Sequence, residues 1–162
     1  MAFARVHSAQ PALPRGQIVT VEADVASGLY AFTVVGLPDK AVEESKDRVS
    51  AAIKHSGFKS PKASNHKVTI SLAPATIKKE GALFDVPIAL AYLAATDDIH
   101  LKTDGRLFAG ELALDGTLRS IRGVLSIAHA AKHAGLKEIF VPKENAAEAA
   151  LVDGITVFGA QT

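Results

Sequence analysis

The chain has 162 residues, 48% of them hydrophobic and 22% charged, with a formal net charge of +1 and no cysteine. This length and apolar fraction support one buried core and exclude an extended disordered chain, while the lack of cysteine excludes a disulfide framework and a thiolate metal cage. The opening run MAFARVHSAQPALPRG lacks the apolar stretch of a signal peptide, and the greasiest segment, VPIALAYLAA, falls short of the roughly 20 residues that span a bilayer, so a cytoplasmic protein without membrane contact is expected.

Taken in chain order, QIVTVEADVA and YAFTVVG are rich in β-branched residues, alternate in polarity, and are separated by SGL, which predicts an antiparallel hairpin. DKAVEESKDRVSAAIKHSG predicts an amphipathic helix capped by Asp39 and closed by Gly57, with Ala41, Val42, Ser45, Val49, Ala52 and Ile53 facing inward. KVTISLA reads as a strand. ALFDVPIALAYLAAT predicts a second helix, with Asp85 capping its start, Pro87 tolerated in the first turn and Gly81 letting the chain turn into it. On that reading Asp85→Ala costs about 1 kcal/mol. RLFAGELALDGTLRS predicts a hairpin turning at Asp115 and Gly116, and GVLSIAHAAKHAG a helix ended by Gly135. EIFVP and ITVFG are short strands around the small helix KENAAEAALV. A β-rich start followed by αβ alternation implies an α/β (α+β) protein, a mixed sheet with helices packed on it.

The net charge conceals an uneven distribution. Arg48, Lys54, Lys59, Lys62, Lys67, Lys78 and Lys79 fall in a stretch without Asp or Glu, leaving 11 basic and 17 acidic side chains elsewhere. The segment KHSGFKSPKASNHK, expected to be a flexible and exposed loop, presents lysines suited to phosphates. Lys54, Lys59, Lys62, Lys67, Lys78 and Lys79 are the candidate DNA contacts. The same run also suits a merely solvated surface.

Other motifs are incomplete. GRLFAGEL has the glycine spacing of a P-loop, but Glu111 stands where the lysine is needed and would repel phosphate. HAAKH places His129 and His133 one helical turn apart, without a third ligand and with Ala130 where a zinc peptidase has glutamate, so no metal site is expected. The seven Phe and two Tyr are scattered at strand and helix positions and suit a core better than a base-stacking platform.

Four ordered blocks, GLPDKAVEESKDRVSAAI, KVTISLAPATIKKEGALFDVPIALAYLAA, FAGELALDGTLRSIRGVLSIAHAAKHAG and VPKENAAEAALV, resemble the N-terminal domain of the ComM/YifB family, bacterial proteins related to the magnesium-chelatase ATPase subunit. More distantly they resemble the proteolytic domain of Lon. The resemblance implies a ribosomal protein S5 domain 2-like, Lon proteolytic-domain-like fold, one domain over residues 1–162 and an AAA+ ATPase module beyond residue 162. It also implies a hexameric ring that acts on DNA, with branch migration in natural transformation as its task. ATP and magnesium would serve the later module, and this chain would hold no cofactor. Its partners would be that module, further copies in the ring, and DNA.

Lon-type peptidases use a serine after the charged loop and a lysine near the start of a later helix. Matching KKEGALFD and GTLRSIRGVLS to those patterns puts Leu83 at the serine and Leu125 at the lysine. Leucine has neither a lone pair nor a titratable proton, so the resemblance implies a scaffold without catalysis. A Lon-like serine peptidase, a purely protein-binding scaffold and a chelatase accessory are the competing readings. The dyad positions separate the first of these, and nucleic-acid contact by the lysines separates the second.

Overall fold

The computed structural model describes residues 2–162. The chain opens with a hairpin of β1 (Ala2–Gln10) and β2 (Gln17–Ser27), paired antiparallel from Ala2 opposite Val25 to Gln10 opposite Gln17. There follow β3 (Ala31–Val35), α1 (Lys40–Glu43), α2 (Ser45–His55), β4 (His66–Ala73), a short 3-10 turn (Ala82–Phe84) and α3 (Asp85–Ala95). The remainder is β5 (Arg106–Phe108), β6 (Glu111–Leu112), β7 (Leu118–Arg119), α4 (Val124–His133), β8 (Glu138–Pro142), a 3-10 turn (Lys143–Asn145), α5 (Ala146–Ala149) and β9 (Thr156–Ala160). Seven strands form one mixed sheet in the order β3-β4-β2-β1-β5-β8-β9, and β6 and β7 form a separate ribbon.

The expected pairing of β2 with β3 does not occur. β4 lies between them, antiparallel to β2 and parallel to β3. β3 reaches β4 through α1 and α2, and a helical crossover is what parallel neighbours require. Val68, Ile70 and Leu72 of β4 are fully buried, against 8% and 7% exposure for Phe32 and Val34 on the edge strand β3. β1, which the polar-looking N-terminal run did not suggest, takes the hairpin partnership with β2 instead. Arg106–Phe108 likewise leaves the expected hairpin and joins the large sheet beside β1 and β8, while the turn at Asp115 and Gly116 connects β6 to β7.

Helices pack on both faces. α3 packs on β1 and β2, with α2 against its outer side. Phe108 and Phe140 point to the α3 side, where they line a groove with Val86, Ala89 and Leu90. Successive residues alternate faces, so Leu107 and Ile139 point away from α3, and α4, which packs on β1, β2 and β8, completes their burial. The first long helix is interrupted at Glu44, yet Asp39 caps its start as expected, its Oδ1 accepting from Val42 N at 2.8 Å, and Val42, Ser45, Val49, Ala52 and Ile53 are buried. Among the described residues, no helix is long and apolar enough to cross a membrane.

Candidate functional site

The loop from β4 to α3 is held from two sides. Gln10, at the end of β1, donates to the Lys78 carbonyl at 2.8 Å and accepts from Glu80 N at 3.2 Å. Asp39 Oδ2 accepts from Gly81 N at 3.1 Å while its other oxygen caps α1. Gly81 has φ +88°, which a side chain would strain. These ties set one wall of a polar cleft of about 700 Å³, whose lining includes Asp39, Lys78, Glu80, Leu83, Glu111 and Arg122.

Asp85 lies behind that wall. It does not cap α3, as the sequence suggested; its side chain is fully buried and accepts four hydrogen bonds from more distant elements. Ser45 Oγ donates at 2.5 Å, Arg48 Nε and Nη2 at 2.7 and 3.0 Å, and Leu112 N at 3.0 Å. The carboxylate therefore clamps α2, α3 and β6 together; the 3-10 turn carries helical backbone angles into Asp85, so the N-cap position falls at Phe84. The hydrogen bond to Asp85 outweighs burial and holds the Arg48 pKa above its usual value.

Leu83 is 7% exposed in the cleft wall. Leu125 is 37% exposed on α4 and is not part of the cleft lining. Where Leu83 meets the cleft, the surface offers a hydrocarbon side chain, with acids and bases arranged around it. Such a surface can grip a polar chain but supplies no nucleophile at that point.

The candidate lysines divide. Lys54, Lys59, Lys62 and Lys67 are exposed around the end of α2 and the start of β4, and Lys78 is exposed past the far end of β4 in the polar cleft. Lys79 is corrected: its side chain is 0% exposed and its Nζ donates to the Pro74 carbonyl, so it cannot meet a phosphate. The backbone of Lys79 pairs with Leu37 and Asp39, turning the side chain inward, and burial lowers its pKa. Arg48, counted with this basic run, is engaged by Asp85.

The lysine loop is more ordered than the sequence implied. Ser64 N donates to Ser60 O and His66 N to Pro61 O, both at 3.1 Å, while His66 Nδ1 lies 2.6 Å from Tyr92 Oη on α3. Burial, assisted by the charge of Asp98, pushes the Tyr92 pKa up to about 12. The sequence carried no signal for this His66–Tyr92 tie, because 26 residues separate the partners. His129 and His133 are exposed on α4, and among the described residues no group of three His, Cys, Asp or Glu could hold a metal ion.

Comparison with known proteins agrees with this architecture. The family described as subunit ChlI of Mg-chelatase matches residues 21–145. Competence protein ComM of Haemophilus influenzae is 41% identical over 165 residues, covering 100% of this chain and 31% of the relative. The uncharacterized protein YifB of Escherichia coli K12 is 41% identical over 155 residues, covering 95% of this chain and 30% of the relative. Lon protease 1 of Sorangium cellulosum is 30% identical over 137 residues, 82% of this chain and 17% of the relative. The mixed sheet and its flanking helices are a Lon-like fold. The chain spans less than a third of the length of these curated relatives.

Proposed function

We propose that this chain, which belongs to the family of subunit ChlI of Mg-chelatase, is the non-catalytic N-terminal domain of a ComM-like, ring-forming AAA+ ATPase that processes DNA in the cytoplasm. The observation that carries the reading is the match to competence protein ComM along the whole chain. On this reading the parent protein drives branch migration during natural transformation as a hexamer. ATP and magnesium act in the module that follows, and this domain contributes to ring assembly and a DNA contact.

Two features support that division of labour. Leu83 presents hydrocarbon where a Lon-like peptidase would need a hydroxyl. Lys54, Lys59, Lys62 and Lys67 are exposed at one end of the sheet, where they suit sequence-independent contact with a phosphate backbone.

The purified chain is expected neither to cleave unfolded protein nor to react with serine-directed covalent reagents. Leu83→Ser with Leu125→Lys should remain inactive, because a nucleophile also needs a supporting shell and an oxyanion site. Time-dependent labelling of one serine or threonine in the parent chain would overturn the non-catalytic reading. Changing Lys59, Lys62 and Lys67 together to Glu is expected to weaken binding to duplex DNA and to make the log-log salt slope shallower by about 3. Equal binding by parent and triple variant at low salt would assign those lysines to solvation.

A further inference from the structure

The loop between β1 and β2 lies across α4 and is seated there by close contacts. Ser126 Oγ stands 3.2 Å from the Ala12 carbonyl oxygen and 3.4 Å from the Ala12 amide, and the Ser126 carbonyl accepts from Gly16 N at 3.3 Å. A Cβ on Gly16 would fall 2.7 Å from the Ser126 carbonyl oxygen, and one on Gly123 would fall 2.3 Å from Pro11 Cγ. Loop and helix can approach this closely only because both positions are glycine. Between them opens a cleft of about 640 Å³ lined by Pro14, Arg15, His129, Lys132 and His133.

This lining contains no acid. Arg5, Arg48 and Arg106 each pair with a carboxylate, whereas Arg15 and Lys132 form no salt bridge among the described residues. The side-chain partner of Arg15 is His133, whose Nδ1 lies 3.4 Å from Nη1. An imidazole nitrogen orients the guanidinium without neutralising it. His129, Lys132 and His133 share one face of α4, at spacings of three and four residues. The result is a concave basic surface whose two cations are in no salt bridge among the described residues, with a forked guanidinium and a point-charge ammonium, the two forms of phosphate ligand that proteins use most.

We infer that this cleft is a second nucleic-acid contact, in which Arg15 and Lys132 grip the sugar-phosphate backbone, on a different helix and loop from the exposed lysines. A lipid surface fits less well, since membrane docking uses a broad apolar face, and here the exposed apolar side chains nearby are the single leucines Leu13 on the loop and Leu125 on α4. The inference rests on the DNA reading given above, and its test separates the two.

Binding of the chain to a fluorescein-labelled duplex of mixed sequence is measured by anisotropy from about 50 to about 200 mM salt. The parent is compared with Arg15→Glu/Lys132→Glu, with the milder Arg15→Gln/Lys132→Gln, and with the Lys59, Lys62, Lys67 triple. All the substituted side chains are exposed, and circular dichroism melts check that the variants fold. Both cleft variants are expected to make the log-log salt slope shallower by about 2, with the larger loss of affinity in the Glu pair. Unchanged binding by both cleft variants, with weakened binding by the triple, overturns the cleft and leaves the DNA reading standing. A parent that fails to bind duplex even at the lowest salt overturns both. Binding to phosphatidylglycerol vesicles through Arg15 and Lys132, without duplex binding, overturns the inference in favour of a lipid surface.

Discussion

Arg48 and Lys79 belong to the same acid-free stretch and both turn inward, but their surroundings differ. Arg48 meets the Asp85 carboxylate through two nitrogens and also donates to the Ala41 carbonyl. Among the described residues, the Lys79 ammonium meets only the Pro74 carbonyl. The first cation joins α2, α3 and β6 and has its pKa raised; the second is desolvated without a counter-charge and has its pKa lowered. A cation count along the sequence therefore says little about charge available to a ligand. In this molecule the tertiary partners decide it.

The largest expected effect comes from breaking the paired site. Asp85→Ala leaves Ser45, Arg48 and the Leu112 amide without their acceptor, at a cost of about 3–5 kcal/mol in urea unfolding. Asp85→Asn retains one acceptor oxygen and should fall between that variant and the parent. A loss of only about 1 kcal/mol for Asp85→Ala would show that its hydrogen bonds contribute no more than a helix cap does.

Lys79→Met sharpens the contrast, since it removes a buried charge from a carbonyl that also receives Ile77 N at 3.4 Å. Stability at pH 7 should stay within about 1 kcal/mol of the parent or rise. Because burial lowers the Lys79 pKa, the unfolded chain binds more protons between that depressed value and the ordinary 10.5. Parent stability should therefore gain from Lys79 as pH rises through this window, a gain absent from Lys79→Met. Tyr92 acts in the opposite direction: with its pKa raised from 10.0 to about 12, its contribution is present below pH 10.0 and is lost as pH rises towards 12. Urea midpoints compared at pH 7 and just below 10 isolate the lysine. A parent-to-variant difference that does not change with pH would show that Lys79 is not buried in its charged form.

The smallest expected change in stability belongs to the exposed lysines. Changing Lys59, Lys62 and Lys67 to Glu should alter stability by no more than about 0.5 kcal/mol per site in a thermal melt. A much larger loss would mean that these side chains support the loop ordered by the His66–Tyr92 contact.

The residues whose roles were legible in sequence are those with partners close along the chain. Asp39 reaches an amide three residues on, and Asp115 holds the hairpin turn through Thr117, two residues on. The buried face of α2 follows from helical spacing alone. Leu83 was placed by resemblance, and its position in the cleft wall agrees with a chain turning through Gly81 into a buried helix. Asp85 was recognised as structural, but its function as a clamp was not legible, because Ser45 and Leu112 lie 40 and 27 residues away.

By itself the sequence determined the Asp39 cap, the glycine ends of α2 and α4 at Gly57 and Gly135, and the turn at Asp115 and Gly116, since capping bonds, glycine conformations and apolar periodicity act within a few residues. It also determined the supply of charge. Only the tertiary structure decided the strand order β3-β4-β2, the burial of Lys79 and the seating of the β1–β2 loop on α4. Each depends on backbone or side-chain groups brought together from distant parts of the chain: β4 inserted between two strands that are neighbours in sequence, the pairing of Lys79 with the segment before α1, and Ser126 reaching Ala12 across 114 residues. Local preferences cannot rank such pairings, because their free energy arises from burying both partners at once.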